Sequence, residues 1–274
     1  MASVMTSIRG LNVHYQIINP QAEKTLVFLH GFTGSTKTWD SVVQSFQGTY
    51  RIITVDLIGH GLTDAPYNVQ RYSMEEQVEL LHDFFEARQI PSFTLIGYSM
   101  GGRVAIAFTM KYAEMVEQLI LESSSPGLPT SEERATRRNN DDALADRIEK
   151  NGLESFVDNW ENIPLFDSQK ELPVSTQLII RKERLDQRVI GLANSLRGIG
   201  TGQQPSYWEE LQNYTKPVLL ITGELDKKFE QKAYAMNKRF QCCENIIVPN
   251  VGHAIHVENP QTFATIIEEH LEFI

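Results

Sequence analysis

Cysteine is nearly absent from this sequence, which holds only Cys242 and Cys243, side by side in 274 residues. A disulfide between neighbours closes a strained ring, so the pair reads as free thiols and nothing implies an oxidising compartment. It does not read as a metal site either, because zinc ligands are normally spaced apart and need partners nearby. A basic excess is also missing, the formal charge being −10. Nucleic acids and anionic membranes both require a positive surface, so neither is an expected partner, and an acidic substrate would need a local basic pocket. No stretch approaches the ~18 uninterrupted apolar residues of a membrane-spanning helix, and Met1 to Tyr15 lacks a basic segment followed by an apolar core. The expectation is a cytoplasmic protein with no obligate protein partner evident.

The chain is ordinary for a folded protein, with no low-complexity tract and no internal repeat. Residues 3–18 read as two strands around Arg9-Gly10, a hairpin at a sheet edge. Short apolar runs follow at Thr25–Leu29, Arg51–Val55, Phe93–Ile96 and Gln118–Glu122, most of them succeeded by a helical pattern such as Met74–Arg88 or Met100–Tyr112. Runs of that length with helices between them predict buried parallel strands. The pattern breaks at Ser123-Ser124-Ser125-Pro126-Gly127-Leu128-Pro129, and to about Pro205 the sequence is polar, helix-compatible and strand-poor. Strand signals resume at Pro217–Thr222 and Asn245–Val248, and Pro260–Phe273 has the spacing of a closing helix with Pro at its first turn. The expected organisation is an α/β core of residues 1–124 and 206–274, with a mostly parallel central sheet flanked by helices. A helical cap or lid, 125–205, is inserted into it.

Gly97-Tyr98-Ser99-Met100-Gly101 matches the G-x-S-x-G nucleophile elbow, a strained strand-to-helix turn that projects a serine from the carboxyl edge of a sheet. The glycines are needed for space, since a Cβ two residues before or after the serine would collide with the neighbouring strand or helix. Five residues alone match by chance fairly often, and a Gly-rich turn with a solvated serine is the bland alternative. The apolar strand before and apolar helix after favour a true elbow. A serine hydroxyl needs a base, and the base needs a third group to fix its tautomer. Asp226 and His253 follow in the order acid then histidine, each just beyond an apolar run. Taken singly, a loop Asp or a His near a helix start is better read as structural, but the joint placement of the three reverses that. Glu224 and His256 compete with them. Asp226 is preferred because it lies beyond the strand end, and His253 because Gly252 before it permits a tight turn.

His30-Gly31-Phe32 follows the first central strand, where this fold draws one of its two oxyanion-hole amides, so the expected donors are the N–H groups of Phe32 and Met100. Losing one such donor typically costs ~3 kcal/mol of transition-state stabilisation. Asp56 to Thr63 reads as a structural turn, His14 as one residue of an alternating strand, and His82 and His270 as solvated helix positions. Arg103 lies four residues after Ser99, one helical turn on, where it could reach back to the pocket. The cap adds Arg134, Arg137, Arg138, Arg181, Lys182 and Arg184. Singly, each is better read as a solvated charge, yet several around one pocket would suit a polyanion.

Together these segments resemble a family within the α/β-hydrolases, the 2-succinyl-6-hydroxy-2,4-cyclohexadiene-1-carboxylate (SHCHC) synthases of menaquinone biosynthesis. The marks are Gly97 to Arg103, Glu122 to Leu128, Leu196-Arg197-Gly198-Ile199-Gly200-Thr201-Gly202-Gln203-Gln204-Pro205 and Gly223 to Phe229. The resemblance implies a carbon–oxygen lyase without metal or organic cofactor, which eliminates pyruvate from a small polycarboxylate bearing enolpyruvyl and succinyl groups. The triad serine would act as general base. It implies substrate contacts at Tyr98 and Arg103, and at Arg137 and Trp160 in the cap. Arg181 is favoured as a third clamp, with Arg184 as its rival. The triad alone equally permits a serine hydrolase of small esters or of carbon–carbon bonds in diketones. A ligand-sensing protein on the same fold is a third alternative, against which the intact triad weighs.

Overall fold

The computed structural model describes residues 2–46 and 48–272. In chain order its elements are β1 (Ala2–Ile8), β2 (Leu11–Ile18), β3 (Thr25–Leu29), α1 (Asp40–Val43), β4 (Arg51–Val55), α2 (Met74–Ala87), β5 (Phe93–Tyr98), α3 (Met100–Lys111) and β6 (Val116–Glu122). Then come α4 (Ser131–Trp160), α5 (Val174–Leu185), α6 (Val189–Ile199), β7 (Val218–Gly223), α7 (Lys227–Asn237), β8 (Cys243–Val248), α8 (Ile255–Glu258) and α9 (Pro260–Glu272). The strands form one eight-stranded sheet ordered β1-β2-β4-β3-β5-β6-β7-β8. β1 and β2 pair antiparallel, as do β2 and β4, and from β4 to β8 every pairing is parallel. The chain therefore has the α/β-hydrolase fold class, with the β1–β2 hairpin at one sheet edge.

The reasons are local. Arg9 and Gly10 have φ of 51° and 75°, the positive values that a two-residue hairpin turn needs at both central positions. β3, β5 and β7 are buried at every residue, because helices cover both faces of the sheet and no position is left for a polar alternation. One face packs Phe84 and Phe85 of α2 and Phe108 of α3 against the sheet; the other packs Trp39, Phe46 and Phe263. Truncating a wholly buried ring such as Phe108 to Ala would cost about 3–5 kcal/mol.

The segment between β6 and β7 contributes helices and no strand to the fold. Thr130 caps α4 through a reciprocal box with Glu133, and α4 breaks at Gly152, whose φ is 82°, a conformation open to glycine. Ala145, Ile148, Phe156 and Val157 of α4 pack with Leu192, Ala193 and Leu196 of α6 in a third apolar cluster. Strand limits differ from the sequence reading by a residue or two. β5 runs on to Tyr98 and β6 begins at Val116, because ladder pairing extends beyond the apolar runs. Phe273, the expected end of the last helix, lies outside the described residues. No described helix is long and apolar enough to cross a membrane.

Candidate active site

Ser99 stands between the end of β5 and the start of α3 with φ 49° and ψ −104°, a strained backbone for a residue with a side chain. Its flanking glycines meet what the sequence anticipates. A Cβ on Gly97 would lie 2.6 Å from the Gly101 carbonyl oxygen, and one on Gly101 would lie 2.1 Å from that of Leu29. The turn is pinned by Ser99 N–H donating to the Glu122 carbonyl at 2.9 Å and by the Ser124 hydroxyl donating to the Ser99 carbonyl at 3.0 Å.

The structure brings His253 Nε2 to 3.1 Å from Ser99 Oγ and His253 Nδ1 to 2.6 Å from Asp226 Oδ2. With Nδ1–H donating to Asp226, Nε2 is left to accept from the serine hydroxyl. Asp226 Oδ1 accepts from Phe229 N–H at 3.3 Å and so caps α7. The rivals are engaged elsewhere. Glu224 accepts from Asn250 N–H, and His256 is buried with its Nδ1 2.7 Å from Glu122. Tyr98 packs its ring on both histidines.

Ser99, His253 and Asp226 open onto a cavity of about 610 Å³ that Phe32 and Met100 also line. Among the described residues no protein acceptor is paired with the Phe32 or Met100 amide. Met100 begins α3, so its N–H lies at the positive end of the helix dipole. His30 fixes the loop before Phe32: its Nε2 accepts from Leu57 N–H and its Nδ1–H donates to the Gly31 carbonyl. Burial pushes its pKa down, which keeps the ring neutral. Behind it Asp56 joins the Thr36 and Leu62 amides and His14, a structural anchor. The Phe32 ring stands edge-on to Trp160, which ends α4 and lines the same cavity.

Arg103 also lines the cavity. Its Nη1 donates to the Ile199 carbonyl at 2.7 Å and to Gln204 Oε1 at 2.8 Å. Burial, reinforced by repulsion from Arg137 and opposed by Asp141, pushes its pKa down to about 10, so it remains a cation at neutral pH. Arg137 lines the cavity too, with its Nε held 2.8 Å from Asp141 Oδ1.

The sequence matches the family described as the alpha/beta hydrolase fold over residues 24–260. A Bacillus subtilis (strain 168) protein provisionally assigned as an SHCHC synthase is 47% identical over 255 residues, 93% of each chain. The chain belongs to the SHCHC synthase family. The similarity extends to the SHCHC synthase of Enterobacter sp. (strain 638), 30% identical with 89% of this chain and 90% of that one covered. The solved structure of MenH from S. aureus superposes with a TM-score of 0.90 at 38% identity, covering 94% of this chain and 97% of that one.

Against the expectations that the synthase family raised, the basic residues between β6 and β7 divide. Arg181 does not line the cavity. Asp158 and Glu161, at the end of α4, each hold its guanidinium at 2.6 Å and turn it away. Arg184 is buried, donates to Gln169 Oε1 and lies 4.8 Å from the centre of the Phe166 ring, one layer behind the cavity wall. Arg134 and Arg138 bond backbone carbonyls. Lys227, Lys228 and Lys232 of α7 line the cavity, and the sequence reading did not single them out. Their signal was the i, i+4 spacing of Lys228 and Lys232 directly after Asp226. His270, expected to be solvated, is 8% exposed and lies 3.5 Å from Glu244, because α9 packs its end against β8. His82 is half-buried and stacks on Tyr112.

Proposed function

We propose that this chain is the synthase itself, eliminating pyruvate from 2-succinyl-5-enolpyruvyl-6-hydroxy-3-cyclohexene-1-carboxylate to give SHCHC. The observation that carries the proposal is a bonded Ser99–His253–Asp226 array opening onto a cavity whose other charged side chains are all cationic. The substrate holds its ring double bond at carbon 3 and its leaving group on carbon 5, and the product has double bonds at carbons 2 and 4. Carbon 2 must therefore lose a proton. It carries the succinyl carbonyl, so the proton is acidified by that carbonyl, and the negative charge arrives on the carbonyl oxygen.

Each part of the site then has a task. Ser99 Oγ, its own proton passing to His253, takes the carbon 2 proton; the electron pair moves through the ring and breaks the bond to the enolpyruvyl oxygen. His253 returns the proton to the departing enolpyruvate, which tautomerises to pyruvate, so no water is consumed. Asp226 stabilises the imidazolium between these events. The Phe32 and Met100 amides receive the enolate oxygen, each worth about 3 kcal/mol. Arg103 and Arg137 bind carboxylates, Tyr98 and Trp160 shape the wall, and residues 125–205 act as the lid.

The test is release of pyruvate from this precursor, followed through lactate dehydrogenase and NADH absorbance, in wild type and Ser99→Ala. Turnover by wild type that Ser99→Ala abolishes supports the proposal. An acyl-Ser99 burst with small esters and no pyruvate from the precursor would make the chain a hydrolase instead.

A further inference from the structure

Two helices leave the triad, α3 from Ser99 and α7 from Asp226, and the proposed function uses only the first for binding. Lys227 of α7 is paired with Glu230 at 2.9 Å. Lys228 and Lys232 are different. They lie four apart on one face of the helix and both line the cavity. Among the described residues no carboxylate pairs with either ammonium; Lys228 has only the Phe229 ring at 5.8 Å.

Lys232 is half-buried, and burial together with Lys228 pushes its pKa down. The opposing charge that acts on it is Glu133, which is outside ion-pair distance and has its Oε2 engaged by the Thr130 amide and hydroxyl at 3.0 and 2.8 Å. Like charges at this spacing destabilise a helix by about 0.2–0.5 kcal/mol, and a desolvated ammonium without a partner adds to that cost. A protein with a net charge of −10 has thus gathered unpaired cations on one wall of one cavity. A bound anion removes both costs.

We infer that Lys228 and Lys232 form a carboxylate subsite on the α7 wall, distinct from Arg103 and Arg137. The inference rests on the synthase reading for its substrate, which carries three carboxylates, one more than the two arginines can clamp. The lysines take the clamp role that the family resemblance implied for Arg181, whose charge is spent on Asp158 and Glu161. Lys228 is exposed at the rim and Lys232 lies deeper, so the pair also draws a polyanion inward through an otherwise repulsive field.

The test compares Lys228→Met, Lys232→Met and the double variant with Lys150→Met, a charge-matched control at an exposed position of α4 outside the cavity. Two readouts are taken: KM and kcat for pyruvate release, and calorimetric binding of citrate as a plain tricarboxylate. Lys232→Met should raise KM about ten-fold, the effect of one charged hydrogen bond, with kcat within about two-fold. The double variant should raise KM further and flatten its dependence on salt. Citrate binding should weaken in parallel, and Lys150→Met should match wild type. KM and citrate affinity within two-fold of wild type in the double variant would overturn the subsite and leave the synthase reading standing. Citrate binding that depends on the lysines in a wild type that releases no pyruvate would overturn the synthase reading and leave the subsite standing.

Discussion

Asp226 faces two donors with two oxygens, and asparagine has only one oxygen to offer. Oδ2 takes the His253 Nδ1 proton at 2.6 Å and Oδ1 takes the Phe229 amide proton at 3.3 Å. In Asp226→Asn one donor must meet an NH2 group. The backbone amide cannot change its character, but imidazole can move its proton from Nδ1 to Nε2, so the asparagine oxygen settles on Phe229 and the NH2 on His253. His253 Nε2 then carries a hydrogen and no longer accepts from Ser99. The expected loss in kcat is about 10⁴-fold, roughly 5.5 kcal/mol, the size seen when a triad acid becomes an amide. Asn is as good a helix cap as Asp, so Tm should stay within about 2 °C. Asp226→Ala loses both roles. Its kcat should fall at least as far, and the missing cap, about 1 kcal/mol, should lower Tm by about 2–4 °C. Pyruvate release and calorimetric melting on the same preparations read the two effects separately. An Asp226→Asn variant that kept more than a tenth of wild-type turnover with an unshifted Tm would refute the reasoning.

Ser99→Gly removes the hydroxyl and relieves a side chain held at φ 49°. Activity should vanish while Tm rises, since strain of this kind costs about 1–3 kcal/mol; an unchanged or lower Tm argues against strain at the elbow. Arg103→Met should raise KM at least 100-fold in the pyruvate assay. It should not lower Tm, because it removes a cation whose burial already pushes its pKa down to about 10. In wild type, kcat/KM should fall as pH rises toward that value, where the cation is lost. Asp56 is expected to shape stability in acid. Burial alone would raise its pKa, but the His14 hydrogen bond and the Leu62 and Thr36 amides outweigh it and hold the carboxyl below the ordinary range. A depressed pKa gives stability that is present above the unfolded value of about 4 and is lost as pH falls through the folded one. Urea unfolding should therefore find Asp56→Asn less stable by about 2–4 kcal/mol at pH 7, with the gap to wild type closing as the pH falls below about 4. A gap that does not change with pH would count against the pairing.

What could be read along the chain was whatever rests on neighbours in sequence. The buried strands announced themselves because both faces of the sheet are covered, and the elbow did because its glycines are required by backbone contacts within a few residues or one strand away. Acid and histidine followed from their places after β7 and β8. What could not be read depends on how separate helices are turned against the core. Arg181 and Arg184 lie three apart on α5, about 60° apart around the axis, and only the packing of Arg184 on Phe166 and Gln169 decides which one points inward. Lys232 resembles any solvated helix lysine until α7 is placed beside the cavity. His256 looks as good a base as His253 until Glu122, far away in sequence, is found to hold its Nδ1. The four residues of α8 are too few to show a helical period at all.

The choice between base and nucleophile for Ser99 follows from what each path can expel. An alkoxide that attacks an ester carbonyl ejects an alcohol and moves on to an acyl-enzyme. The carbonyl nearest the elimination in the proposed substrate is a ketone, which has no comparable leaving group, so attack there forms a hemiketal whose favoured fate is to collapse back to ketone and free serine. Proton removal from the adjacent ring carbon has an outlet instead. The electrons leave through the ring with enolpyruvate, and tautomerisation to pyruvate makes departure effectively irreversible. The proposed Phe32 and Met100 donors would stabilise the oxyanion on either path, so they do not choose between them. In the proposed mechanism the cationic wall makes the choice: a polycarboxylate held at Arg103 and Arg137 would have its ring fixed over the serine, with the acidic carbon–hydrogen bond within reach of Oγ. On the proposed reading, a Ser-His-Asp triad, which can also serve ester hydrolysis, is turned to elimination by the groups that orient the substrate and not by the triad itself.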